Sequence, residues 1–302
     1  MTTERLEGLV MAVVGGDARE QEIARLAAAA GAQVRGYGFP WPAGGIPGVE
    51  LASSPGAALE GASYALFPIP GLASDGTLFA PHADGPILPD AALLSHLGPG
   101  ATIILGRADD ALRRCAQDLG HRIVEYEADT ELMLLRGPAI VEGAVGIAIE
   151  NTAITIHAAR VGVVGHGNIG RLLARTLVLL GARVSVFARN PVQRADAYAA
   201  GCSPHPLDDL GALAGDLDML FSTVPALVVD RGVLAALPAG ALVVDLAAPP
   251  GGVDRQAAAE LDVRALWARG LGRRAPVTVG RSQWKGIEKR ILQIEKERSD
   301  EG

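Results

Sequence analysis

Lysine is nearly missing from this chain. It occurs only at Lys285, Lys289 and Lys296, so 24 of the 27 basic residues are arginines. A catalytic lysine in the body of the chain is excluded. Any anionic ligand bound upstream of residue 285 must be held by arginine or by backbone N–H groups. Cysteine is as scarce: Cys115 and Cys202 stand far apart with no CxxC. That argues against a structural zinc site, predicts no metal, and fits a reducing cytoplasm. No uninterrupted apolar run reaches the about 18 residues of a membrane helix. The opening "MTTERLEG" lacks the basic-then-apolar layout of a signal peptide. A net charge of −7 argues against nucleic acid as the main partner.

What is present suffices for two cores. The chain has 302 residues, 49% of them hydrophobic, which predicts two domains. Short β-rich runs alternate with helical patterns. One series of strands is predicted at 10–14, 33–37, 64–67, 102–105 and 122–126, and a second at 161–164, 183–187, 219–222, 242–245 and 263–266. This βαβ alternation predicts an α/β fold, two doubly wound parallel-sheet domains. Between the series, residues 139–159 read as a long linking helix with Pro138 in its first turn. The tail from 281 to 298 is a charged amphipathic helix, with Trp284, Ile287, Ile291 and Ile294 at helical spacing. The expected division is 1–138, with the tail packing back on it, and 139–280.

Two glycine turns compete for a dinucleotide. Gly165, Gly167 and Gly170 form GxGxxG after a strand and at the start of a helix. The first glycine makes the turn, the second admits a pyrophosphate, and the third lets helix and strand pack closely. The phosphates would sit at the helix N-terminus, beside His166, Asn168 and Ile169. The next strand ends "VFARN", with Ala188, Arg189 and Asn190 where an NAD site carries an acid, and Arg194 follows one turn on. A guanidinium suits a 2′-phosphate, so NADP is expected over NAD. Its bland alternative is a pair of surface arginines. Thr223, Val224 and Pro225, with Asp245 at the end of the next strand, should border the cofactor. The first turn reads "VVGGDAR", and Asp17 would repel a phosphate there. Gly16 is therefore read as lining a substrate cleft, Arg19 as facing a substrate carboxylate, and Asp17 as either functional or a plain N-cap.

"VVGGDAR", "PIPG" (68–71), "VEG" with "IENTAITIH" (141–157), "GHGNIG", "DLAAPPGGVD" (245–254) and "GLGRRAPVTVG" (270–280) together resemble one family, in order along nearly the whole chain. It is the A subunit of dipicolinate synthase from endospore-forming bacteria. The resemblance implies a flavodoxin-like N-terminal domain and a Rossmann domain related to 2-hydroxyacid and alanine dehydrogenases. It implies nicotinamide-dependent oxidation of dihydrodipicolinate, from 4-hydroxy-tetrahydrodipicolinate, to pyridine-2,6-dicarboxylate in the mother-cell cytoplasm during sporulation. A flavoprotein-like B subunit would be a partner, the chain would self-associate, and Pro70 and Gly71 would contact substrate. Three departures bear on the site. Ala248-Pro249 replaces the family's Ser-Arg, Gly272 a proline, and Val277 a lysine. Arg273, with Arg274 and Arg281 near it, could take over carboxylate binding.

Catalytic candidates in the expected cleft between the domains are Asp17, Glu142 and His157. Glu142 stands at the start of the expected linking helix, where its alternative role is a favourable helix-end charge. His157 could relay a proton near neutral pH or be a half-buried structural residue. Two competing functions remain. A dehydrogenase of small 2-hydroxy or amino acids is disfavoured by the absence of any histidine after His205 and of an N-domain lysine. An idle NADP-binding scaffold would fit the sparse acid–base groups.

Overall fold

The computed structural model describes residues 6–301, so most of the opening "MTTERLEG" lies outside the described residues. The chain divides into two compact units, 6–136 with 275–301, and 137–274.

The first unit begins with β1 (Val10–Val14), α1 (Ala18–Ala29), β2 (Gln33–Tyr37) and β3 (Val49–Leu51). It continues through α2 (Pro55–Leu59), β4 (Tyr64–Leu66), α3 (Ala91–Leu94), β5 (Thr102–Leu105), α4 (Asp110–Asp118) and β6 (Arg122–Glu125). All pairings are parallel, in the order β3-β2-β1-β4-β5-β6. Without β3 this is the flavodoxin-like order; the short edge strand extends it to the six-strand doubly wound order. Strands such as "VMAVV" and "TIIL" are apolar on both faces because helices cover both. Helix starts are set by acceptors: Asp17, Ser54, Asp90 and Asp109 each take a first-turn N–H.

α5 (Thr130–Asn151) starts nine residues earlier than the sequence pattern suggests. Asp129 accepts the Leu132 N–H at 3.2 Å and nucleates it there, so Pro138 lies inside the helix and Glu142 near its middle. By length and composition α5 could cross a membrane. Yet Arg136 and Glu142 interrupt it, and Leu132, Ala139, Val141, Ala144 and Ala148 are buried in the protein.

The second unit runs β7 (Arg160–Val164), α6 (Asn168–Leu179), β8 (Arg183–Phe187), α7 (Pro191–Ala199), β9 (Ser203–His205), α8 (Leu210–Leu213) and β10 (Met219–Ser222). Then come α9 (Arg231–Ala236), β11 (Leu242–Asp245), α10 (Arg255–Glu260) and β12 (Arg264–Trp267). The order is β12-β11-β10-β7-β8-β9, again all parallel. Both sheets thus share one topology, with the winding direction reversing beside β1 in one and β7 in the other. β3 and β9, three residues each, are the strands the sequence pattern does not predict.

α11 (Pro276–Glu301) belongs to the first unit and lies along α1. Trp284, Ile287, Ile291 and Ile294 are buried, while Lys285, Lys289 and Lys296 are exposed. Asp129 accepts from Arg290 Nη2 at 2.7 Å, and Arg281 Nε donates to Glu22 at 3.0 Å.

Candidate functional site

The turn after β7 needs two of its glycines for the fold and leaves the third open. Gly165 has φ +90, and a Cβ there would stand 2.6 Å from Thr223 Oγ1, which donates to Val164 O at 2.9 Å. A Cβ on Gly170 would run into the Gly165 carbonyl. A Cβ on Gly167 would meet nothing within 4 Å. Gly167 is also the N-cap of α6, with no side-chain cap. The first-turn N–H groups of α6, led by Asn168 and Ile169, therefore have no side-chain acceptor and face space that a pyrophosphate could fill. Thr223, Val224 and Pro225 follow β10 on the other side of the winding reversal, with Thr223 N donating to Val164 O at 3.0 Å. His166 is buried with its ring turned toward α7, Nε2 standing 3.0 Å from Asp196 Oδ2. It offers this turn backbone, not an imidazole.

At the end of β8, Ala188 is buried and Arg189 and Asn190 are exposed. Asn190 Oδ1 accepts the Val192 N–H at 2.8 Å and caps α7. Arg194 Nη1 donates to Ala188 O at 2.9 Å and Arg189 O at 2.7 Å, which holds this corner in shape. The strand-end residues 188–190 include no carboxylate.

Asp245, expected to border the cofactor, is engaged by its own loop. Its buried carboxylate accepts Ala247 N–H at 3.0 Å and Gly252 N–H at 2.8 Å, and so ties the following loop. Trp267 Nε1 donates to Ala247 O at 3.0 Å in the same loop. Ala248-Pro249 lies on this loop, whose shape Asp245 enforces.

The first unit's turn already holds anions of its own. Asp17 caps α1 and accepts from Arg19 Nε at 2.8 Å and Nη2 at 2.9 Å. Glu20 Oε2 accepts the Asp17 N–H and Oε1 the Ile69 N–H, both at 2.8 Å. Glu20 thus bridges the loops after β1 and β4, and its carboxyl fills the space a Cβ on Gly16 would need. The place a phosphate would take at this helix N-terminus is occupied by the protein. Arg19 is not the open bidentate fork expected from the sequence, because Asp17 takes that edge. Burial pulls the Arg19 pKa down, but Asp17 and Glu20 outweigh it. Burial pushes the Glu20 carboxyl up, against Arg19 and the two N–H donors. Gly71, at φ +73, packs on the Arg107 carbonyl, and Pro70 is exposed.

Two of the expected catalytic residues are placed elsewhere. His157 is exposed before β7, its ring against Gly181, at the amino end of the strand whose carboxyl end carries the glycine turn. Glu142 is not at a helix start; it is exposed and paired with Arg274. Arg273, beside that pair, is also exposed.

Four residues of the first unit escape sequence reasoning: Glu20, Tyr126, Arg136 and Gln283. Only Glu20 leaves a signal, the D-x-x-E spacing of a capping box. Tyr126 Oη, Arg136 Nε and both amide atoms of Gln283 are buried without a hydrogen-bond partner. Burial pushes the Tyr126 hydroxyl up and the Arg136 guanidinium down.

Comparisons with known proteins fit this geometry. Residues 10–127 match the N-terminal domain of the dipicolinate synthase A subunit. Residues 142–259 match the D-isomer specific 2-hydroxyacid dehydrogenase NAD binding domain. The dipicolinate synthase A subunit of Bacillus subtilis (strain 168) is 28% identical over 293 residues, 97% of this chain and 99% of its own. The crystal structure of the A subunit from Bacillus halodurans superposes with a TM-score of 0.87 at 29% identity, covering 95% of this chain and 98% of the other. The Bacillus subtilis structure gives 0.85 at 28%, covering 97% and 98%. In sequence and in fold, the chain is a relative of the dipicolinate synthase A subunit over nearly its whole length, built on a dehydrogenase-type nicotinamide-binding domain.

Proposed function

We propose that the chain oxidises a small cyclic dicarboxylate, dihydrodipicolinate arising from 4-hydroxy-tetrahydrodipicolinate, to pyridine-2,6-dicarboxylate, with NADP preferred over NAD. The observation that carries this reading is the pairing of two matches on one chain, the A-subunit N-terminal domain and a nicotinamide-binding domain. Loss of two hydrogens from the dihydropyridine ring, one as hydride and one as a proton, leaves an aromatic ring, and aromaticity drives the reaction. The bound nicotinamide would supply the hydride acceptor. The chain's part is binding and orientation. The turn at 165–170 would hold the pyrophosphate on the α6 N–H groups. Arg189 would hold the 2′-phosphate at the corner that Arg194 braces. Thr223, Val224 and Pro225 would border the bound dinucleotide. The first unit would take the dicarboxylate, in the cytoplasm of a sporulating cell and alongside a flavoprotein-like B subunit.

The test mixes the purified chain, NADP⁺ or NAD⁺, and freshly made 4-hydroxy-tetrahydrodipicolinate, with and without the B subunit. Reduced-nicotinamide absorbance should rise in step with dipicolinate, and lactate and alanine should give neither. Rise with lactate or alanine would favour the 2-hydroxyacid or amino-acid reading. Cofactor binding without turnover in any mixture would favour the scaffold.

A further inference from the structure

Three of the side chains with orphaned polar atoms in the first unit, Tyr126, Arg136 and Gln283, are brought together by the pairing of α5 with α11. Asp129 meets Arg290, and one turn on Leu132 lies against Gly286, where a Cβ would stand 2.5 Å from Leu132 Cδ1. The two helices therefore run antiparallel. One turn further along α5 is Arg136, and one turn back along α11 is Gln283. Gln283 is equally tied to α1: one turn before it, a Cβ on Gly280 would stand 2.8 Å from the Arg19 carbonyl. Gln283 is thus bracketed by Arg19 on one side and the Leu132–Arg136 turn on the other. Tyr126 stands three residues ahead of Asp129, and its hydroxyl feels the charges of Glu20, Arg136 and Arg19.

This cluster is unlike the neighbouring network at the start of α1. Arg19 is matched by Asp17, and both oxygens of Glu20 are taken by N–H groups. Arg136 has no ion pair within 4 Å among the described residues, and its Nε makes no hydrogen bond. Tyr126 is 2% exposed and Gln283 0%, yet neither finds a partner for its polar atoms. A buried hydroxyl or amide left unpaired costs about 1–3 kcal/mol, and a buried unpaired cation costs more. Such groups gathered in one place, with N–H and O–H donors dominant and one guanidinium that no carboxylate pairs with directly, Glu127 acting on it only from beyond ion-pair distance, are matched by a carboxylate. Arg136 keeps partial exposure while the other two are sealed, so a ligand would arrive from its side.

We propose that Arg136, Tyr126 and Gln283 form a seat for one carboxylate of the substrate, with Arg136 as its cation. The proposal rests on the dicarboxylate reading above and replaces Arg19 as the first-choice anion ligand.

Dipicolinate itself is the probe, its binding read by calorimetry without turnover. Arg136→Gln should weaken binding by roughly 10–150-fold, the range of one charge-assisted contact. Tyr126→Phe, which removes only a hydroxyl that has no partner in the chain, should keep the melting temperature and still lose affinity several-fold. Neither variant should change NADP affinity. If wild type and both variants bind dipicolinate equally, the seat is wrong and the function stands. If wild type binds no dipicolinate, the function is in doubt, and thermal shift with a panel of small mono- and dicarboxylates tests the seat alone. At least one should stabilise wild type but not Arg136→Gln. A panel without effect on wild type, or with equal effect on both, overturns the seat as well.

Discussion

Gly167 and Gly170 make opposite demands on a side chain, and that separates fold from function at the second glycine turn. Gly167→Val enters open space at an ordinary helix start, so the protein should keep its melting temperature. The added carbons would stand where a pyrophosphate approaches, and NADP binding by calorimetry should be lost. Gly170→Val meets the Gly165 carbonyl and should lower stability by about 1–3 kcal/mol before any effect on binding is considered. Full affinity in the Gly167 variant would remove the cofactor from this turn. Arg189 gives a second prediction. Arg189→Asp should abolish or invert the preference for NADP, a change on the order of 10–150-fold, and should make the remaining preference less salt-sensitive. Equal affinity of wild type for NAD and NADP at low salt would make Arg189 a surface arginine. The packing role of Gly170 and the role of Asp17 as a cap are legible in the sequence because they are local. The position of Glu20's second oxygen is not, since its partner, Ile69, is 49 residues away. His157 misleads because eight residues from the glycine turn reads as near, while the five-residue strand between them spans about 16 Å.

Among the elements, α11 is fastened to its unit by charge as well as by its isoleucines. The Arg290 guanidinium holds the Asp129 carboxyl below the usual carboxylate range, and Arg25, with Arg281, does the same for Glu22. Folded values below unfolded ones stabilise fully above an ordinary carboxylate pKa of about 4, and that stabilisation is lost as pH falls through the folded values. Hydrogen exchange along α11 should therefore quicken below about pH 4, ahead of the strands of its own sheet. Asp129→Asn should speed it at neutral pH, a loss of about 1 kcal/mol, and flatten the acid dependence. Uniform protection of helix and sheet down to global unfolding would contradict this. The amphipathic period makes α11 legible from its isoleucines. The start of α5 is not, because Pro138 signals a first turn when only local pattern is read. In the structure Asp129, already engaged by Arg290, starts the helix two turns earlier. Arg136 is hidden for the same reason, since the apolar run "LMLLRGP" that holds it lies ahead of the helix start that Pro138 suggests.

At the scale of the molecule, one six-strand winding is used twice with opposite treatment of its first turn. The second unit leaves its helix N-terminus bare, and the first fills it with Asp17 and Glu20. Ligands should then protect separate units. In hydrogen exchange, saturating NADP should slow amides within 137–274, and dipicolinate should slow those of 6–136 and 275–301. A ligand at about 100 times its Kd adds roughly 2.7 kcal/mol to the state it binds. Protection by dipicolinate confined to 137–274 would place the substrate in the wrong unit. The scarcity of lysine has a practical consequence at this scale. Lys285, Lys289 and Lys296 all lie exposed on α11, so a lysine-specific protease has nowhere else in the 302 residues to cut. Digestion of the native protein is then a clock on a single helix, each cleavage recording one moment at which α11 came away.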